Sequence, residues 1–176
     1  MGMKGREIVE RAGLDVDRLL KHLNKAYSDE WLAYYQYWVG AKVAEGALAG
    51  PVAAEMMEHA AEELDHAGKL AQRICALGGQ PVLSPAEWLQ ESNCEYLVPS
   101  NPEAAALLQQ NIASERCAIE VYENLLEFID GKDRITEDLV LDILADEVEH
   151  EEDLEHLAKA LPAALKGKAC GCSAKK

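Results

Sequence analysis

Two stretches of this 176-residue chain share one spacing, Glu63-Leu-Asp-His66 and Glu147-Val-Glu-His150, and no other strict Glu-x-x-His occurs in it. Residues three apart on a helix share a face about one turn apart, so each pair can aim a carboxylate and an imidazole at one place. Those are ligand types for a divalent cation. Glu30 and Glu115 are two further carboxylates set in rows that are otherwise apolar or aromatic.

The rows themselves follow the alternating three- and four-residue steps of an amphipathic helix. One holds Leu20, Leu23, Tyr27, Glu30, Tyr34, Tyr37, Ala41 and Ala44. A second holds Val52, Met56, His59, Glu63, His66 and Leu70, then Arg73 and Leu77. Leu108, Ile112, Glu115, Ile119, Tyr122, Leu126 and Ile129 make the third; Val140, Ile143, Glu147, His150, Leu154, Leu157 and Leu161 make the fourth. Every interruption falls near the middle of its row. Antiparallel pairing would bring Glu30 level with Glu63 and His66, and Glu115 level with Glu147 and His150.

Four long helices must carry these rows, and their start and stop signals place them at about 15–46, 51–77, 101–130 and 136–161. Asp15 is the first candidate cap, Asn101-Pro102 opens the third helix, and Pro162 is expected to stop the fourth. Short links join the first pair and the last pair as hairpins, and the roughly twenty residues between the second and third helices are enough to cross the length of a bundle. Within that crossover Ser84-Pro85-Ala86-Glu87 has a capping-box pattern and predicts a short helix. The expectation is an all-α four-helix bundle over 15–162, with an N-terminal extension (1–14) carrying a short helix near 5–12 and a flexible tail at 163–176.

Energetics bears on what the central layer is for. A buried, unpaired carboxylate costs several kcal/mol, and four together approach the whole ~5–15 kcal/mol stability of a domain. No lysine lies on these rows, and Arg73 is about two turns from the Glu63 level. Two divalent cations would balance four glutamates, and two histidines would complete the coordination. Carboxylate-rich ligation without thiolate suits iron or manganese better than a closed structural zinc site, and glutamates on two helices with Glu-x-x-His on two others is a di-iron arrangement.

Composition agrees. The formal net charge of -15 repels nucleic-acid phosphate and draws cations, so direct DNA binding is not expected. Apolar runs are too short for a membrane span and the first residues lack a signal-peptide core, which points to the cytoplasm. His59, one turn before Glu63, reads as a core or pore-side histidine and not as a ligand. Tyr37, two turns from Glu30, is placed to hydrogen-bond to the layer and is the candidate for a redox role; the neighbouring aromatics Trp31, Tyr34, Tyr35 and Trp38 read as packing. His22 and His156 read as surface residues, Cys75 as a small core residue, and Cys170-Gly-Cys172 is assigned no role.

Glu30, Glu63-Leu-Asp-His66, Glu115 and Glu147-Val-Glu-His150 resemble the ferroxidase-centre pattern of ferritin-like proteins, bacterioferritin above all, over residues 15–161. More narrowly, "NCEYLVPSNPEAAALLQQNIASERCAIEVY" resembles the Dps-like thioferritins, in which a crossover cysteine pairs with one on the third helix; Cys94 and Cys117 match those positions. The resemblance implies two iron ions per subunit, with manganese or zinc as substitutes, ligated by the six residues. It implies oxidation of Fe(II) by hydrogen peroxide or oxygen, storage of ferric mineral and protection from oxidative damage. Leu64 stands where a haem-binding bacterioferritin has methionine, so haem is not expected. The short crossover helix, and the lack of room for a fifth helix after Pro162, imply a twelve-subunit shell. The rival class is a rubrerythrin-like or manganese-catalase-like peroxidase, which uses the same ligands without storing iron.

Overall fold

The structure, a computed structural model, describes residues 3–168, with side chains from 4 to 161. Among the described residues six helices follow one another: α1 (Met3–Arg11), α2 (Val16–Val43), α3 (Ala49–Ala76), α4 (Pro85–Glu91), α5 (Ala104–Ile129) and α6 (Arg134–Lys168). The four long ones form the bundle, α2 pairing with α3 and α5 with α6, and the connection from α3 to α5 carries α4. This is the expected all-α architecture with one long crossover.

Local chemistry accounts for the ends. Asp15 caps α2 by accepting from the Arg18 amide at 3.0 Å. The link to α3 turns at Gly46, whose φ of 88° lies in the left-handed region open to glycine. There the chain pairs with the segment before α5: Glu45 N donates to Pro102 O at 2.7 Å and Ala104 N to Glu45 O at 2.9 Å. That pairing holds Pro102 and Glu103 extended, so α5 starts at Ala104 and not at the Asn101-Pro102 signal. Ser84 precedes α4 but its side chain makes no capping bond, so the capping-box reading fails there.

At the far end, α6 does not stop at Pro162 but continues to Lys168. Proline costs a helix one N–H donor and some straightness, which a long helix already anchored through Leu154 and Leu161 can absorb. Residues 163–168 are therefore helical, against the expected loose tail, and 169–176, with Cys170 and Cys172, lie outside the described residues.

The core comes in two apolar clusters. One gathers Leu19, Leu23, Leu70, Ile74, Leu125, Ile129, Val140 and Ile143 at the end where α1 packs through Val9. The other gathers Tyr37, Val52, Met56, Leu107, Leu108 and Leu154 at the opposite end. Burying such side chains is worth about 1.5–3 kcal/mol each, and that apolar packing holds a polar layer between the clusters at fixed height. Arg73, the non-apolar slot in the α3 row, is also buried; its Nε donates to Thr136 at 2.7 Å and its Nη2 to Asp133 at 2.5 Å, fastening α3 to the start of α6.

Candidate di-metal centre

All six predicted side chains meet in the layer between the clusters, none more than 2% exposed. They sort into two groups of four, Glu30, Glu63, His66 and Glu147, and Glu63, Glu115, Glu147 and His150, each offering one donor atom per residue within 4.8 Å of the others. Glu63 and Glu147 belong to both groups. His66 Nδ1 lies 3.4 Å from Glu30 and from Glu63 and 3.3 Å from Glu147. His150 Nδ1 lies 3.5 Å from Glu63, 3.7 Å from Glu147 and 4.0 Å from Glu115.

The outer nitrogens are held crosswise. His66 of α3 has Nε2 3.0 Å from Asp146 of α6, and His150 of α6 has Nε2 2.8 Å from Glu62 of α3. A carboxylate there accepts a hydrogen bond from Nε2–H, so that the imidazole, when neutral, presents its Nδ1 lone pair to the layer. Inside, Glu30 Oε2, both Glu63 oxygens, Glu147 Oε1 and both Nδ1 atoms are buried without a hydrogen-bond partner. Buried polar atoms are rarely orphaned, and six aimed at one space form a donor set that fits two cations.

Taken alone, the layer balances its charge with protons. Burial, then the Glu63 and Glu147 charges, push Glu30 well above the usual carboxylate range; burial and the same two charges do so for Glu115. Burial would also raise Glu63, but contacts with His150, His66 and Glu30 overcome it and pull Glu63 well below that range. Burial would lower both imidazoles, yet the surrounding carboxylates win, raising His66 far above its ordinary value and His150 to about 12.

A second reciprocal pair backs the glutamates. Tyr37 of α2 donates its hydroxyl to Glu115 of α5, and Tyr122 of α5 donates to Glu30 of α2. Burial first, then the adjacent carboxylates, hold both phenols well above their ordinary pKa, so both stay donors.

Over the α2/α5 side of the layer lies the crossover. Asp29 accepts from the Asn93 and Cys94 amides at 2.7 and 2.8 Å, and Gln36 accepts from the Leu97 amide at 2.8 Å while donating to Asn111 and Ser114. Each anchor immediately precedes a residue of the layer, Glu30 or Tyr37. Between them a cavity of about 30 Å³ reaches Glu30, Glu63, Glu115 and Glu147, with Cys94 on its wall. Cys94 and Cys117 are joined as a disulfide beside it.

A family model, the ferritin-like domain, matches residues 20–164. The chain belongs to the ferritin-like family. Within that family it is 43% identical to a dodecameric thioferritin, the bacterioferritin-related protein from Bacteroides fragilis, covering 97% of this chain and 100% of that one with a TM-score of 0.89. It is 36% identical over 159 residues to a DNA protection during starvation protein of Pyrococcus furiosus, covering 89% of this chain and 85% of the relative. A bacterioferritin of Rhodobacter capsulatus is 26% identical over 139 residues, covering 78% of this chain and 81% of that protein.

For this ferritin-like chain, sequence reasoning missed Asp146, Glu62 and the role of Tyr122. A signal existed: an acidic residue immediately precedes Glu63 and Glu147 alike, and Tyr37 and Tyr122 stand equally far beyond Glu30 and Glu115. Cys75 corrects an expectation in the other direction, for it is exposed. Its neighbour Ile74 takes the core-facing position, and one helical step turns the thiol away.

Proposed function

We propose that this chain is a ferroxidase that takes two Fe(II) ions as substrate at the Glu30, Glu63, His66, Glu115, Glu147 and His150 layer, oxidises them with hydrogen peroxide or oxygen, and stores the ferric product, protecting the cell from oxidative damage. The observation that carries this reading is the pair of overlapping four-donor groups sharing Glu63 and Glu147. With peroxide, each Fe(II) gives up one electron, the pair of electrons cleaves the O–O bond, and two protons accompany the oxygens away as water.

The protein's part is to bind, hold and release protons. Glu63 and Glu147, which belong to both donor groups, would serve both ions, while Glu30 and Glu115 would each serve one. Asp146 and Glu62 keep the imidazoles in the tautomer that ligates, and Tyr37 and Tyr122 hold the terminal glutamates in place as charge changes. The acidic chain draws cations toward the site. Similarity to the dodecameric thioferritin supports a closed homo-oligomeric shell.

The test is to add ferrous iron with peroxide, or with oxygen, and follow ferric absorbance. A Glu63→Ala, Glu147→Ala double variant should oxidise iron no faster than iron free in buffer. Parent-like oxidation by that variant would defeat the proposal. Iron retained far beyond the two ions of the centre marks storage, whereas retention of those two alone, with peroxide consumed catalytically, would favour the peroxidase class.

A further inference from the structure

A second cavity, of about 90 Å³, opens on the α3/α6 face and, among the described residues, is lined by carboxylates and two imidazoles. Its volume exceeds the share of a single water, about 30 Å³, so an ion with part of its hydration fits. Three of its residues converge: Glu55 and His59 of α3 and Asp153 of α6 each offer a donor atom within 4.8 Å of the other two. None of the three belongs to the layer of four glutamates.

Acidic residues on a helix face need no ion, but His59 does not fit that reading. It is only 2% exposed, it lines the cavity, and its Nδ1 is buried without a hydrogen-bond partner. Its Nε2 stands 3.5 Å from Glu55 Oε1, closer to a shared-cation spacing than to a good hydrogen bond. Its ring is also fixed, stacked on His150 at 4.1 Å with 19° between planes and met edge-on by Tyr37 at 5.3 Å. An imidazole held against two rings, with its Nδ1 unpartnered and two carboxylates within ligating range, is a ligand arranged in advance.

We propose that Glu55, His59 and Asp153 form a third divalent-cation site, separate from the di-metal centre. One imidazole and two carboxylates select a first-row transition ion such as Fe(II), Mn(II) or Zn(II) over Ca(II) or Mg(II), which prefer all-oxygen ligation. His150 and Glu62 line the same cavity, so an ion held here sits next to the back of the di-metal centre's own imidazole. The site stands on its own residues and does not depend on ferroxidase chemistry.

Zinc decides it, by anomalous diffraction from crystals of the full chain and by metal analysis after dialysis at moderate salt. The parent should show three zinc positions per chain, one for each donor group, the third between Glu55, His59 and Asp153. Asp153→Ala, a half-buried position whose loss leaves the core intact, should remove the third and keep the other two; Glu55→Ala should do the same. The Glu63→Ala, Glu147→Ala variant should keep the third alone. Zinc confined to the central layer of the parent, or a third ion that survives both Asp153→Ala and Glu55→Ala, would overturn the site. Zinc at the third position with none in the central layer would sink the proposed ferroxidase and leave this site standing.

Discussion

His66 on α3 holds its Nε2 3.0 Å from Asp146 on α6, and the mirrored contact, His150 to Glu62, runs back the other way at 2.8 Å. Each Glu-x-x-His motif is thus oriented by the residue that immediately precedes the glutamate of the other. Outer partners of this kind fix the tautomer and basicity of a ligating imidazole, and their loss commonly costs 10–100-fold in metal affinity. Asp146→Ala should therefore weaken Co(II) binding at the His66 side by about 10–100-fold. Because Asp146 is well exposed, thermal stability of the metal-free chain should change little. A cobalt titration followed by absorbance, beside a melting curve, checks both; unchanged affinity would show that the contact does not orient His66.

Metal affinity at this centre should rise with pH, and the sign follows from the raised imidazoles. In the metal-free protein His66 and His150 are stabilised in their charged form, His150 up to about 12. A group with a raised folded pKa contributes stability that is fully present below its unfolded value, near 6.5 for histidine, and lost progressively as pH climbs from there to the folded value. Between pH 6 and 9 that contribution declines while the imidazoles of the folded, metal-free chain stay protonated, so a cation must displace the protons. Binding at pH 7 should release roughly two protons or more, since imidazoles ligate only when neutral. Calorimetry in buffers of different ionisation enthalpy counts them; binding without proton release would contradict the assignment of Nδ1 as ligand on both histidines.

Arg73 is expected to matter for stability and not for chemistry. Its guanidinium is buried against Asp133 and Thr136 at the start of α6, and contacts with Thr136 and Arg73 hold the Asp133 carboxyl below its usual range in spite of burial. Removing one partner of a buried pair costs about 3–5 kcal/mol, so Arg73→Ala should lower the melting temperature sharply, and Arg73→Met with Asp133→Leu should lower it less. A depressed carboxylate contributes stability present above its unfolded pKa of about 3.9 and lost as pH falls through its folded value. Asp133→Asn should therefore melt below the parent above about pH 4, with the gap closing as pH falls, measured by melting across pH 2.5–7.

The Cys94–Cys117 bond closes a loop across a sequence separation of 23 between the crossover and α5. In the chain-entropy description a loop of that size is worth about 3 kcal/mol. Reductant, or Cys94→Ser, should lower chemical stability by that order while Asp29 and Gln36 keep the crossover seated. Intact mass with and without reductant establishes the bond, and a denaturation midpoint unmoved by reductant would show that those anchors suffice.

Much of this was legible in the residues because helical periodicity is a strong signal and a carboxylate in an apolar row is a strong anomaly. The four rows and the level at which Glu30, Glu63, Glu115 and Glu147 meet follow from spacing alone. What spacing does not carry is contact between helices. The pairing of Glu45 with the segment before Ala104 delayed α5, and the anchoring of α6 on Leu154 and Leu161 carried it past Pro162. The crosswise contacts of Asp146 and Glu62 also depend on the rotation of one helix against its neighbour, which no single row specifies.

Tyr37 and Tyr122 separate positioning from redox chemistry. Each donates to a glutamate of the opposite hairpin, so the two sites should respond alike if the hydroxyls only hold Glu115 and Glu30. Loss of a hydrogen bond to a charged group costs about 1.5–3 kcal/mol, so Tyr37→Phe and Tyr122→Phe should each loosen metal binding by roughly ten- to hundredfold at the ion their glutamate serves. The tyrosines differ in surroundings: Tyr37 also meets His59 at 5.3 Å and His150 at 6.5 Å, an aromatic path toward the α3/α6 face. If Tyr37 passes an electron as well as holding a glutamate, Tyr37→Phe should slow ferric formation at saturating iron, where Tyr122→Phe does not. Rapid-mixing absorbance at saturating Fe(II), with freeze-quenched electron paramagnetic resonance for a tyrosyl radical, makes the comparison. Equal rates in the two variants and no radical in the parent would assign Tyr37 to positioning alone.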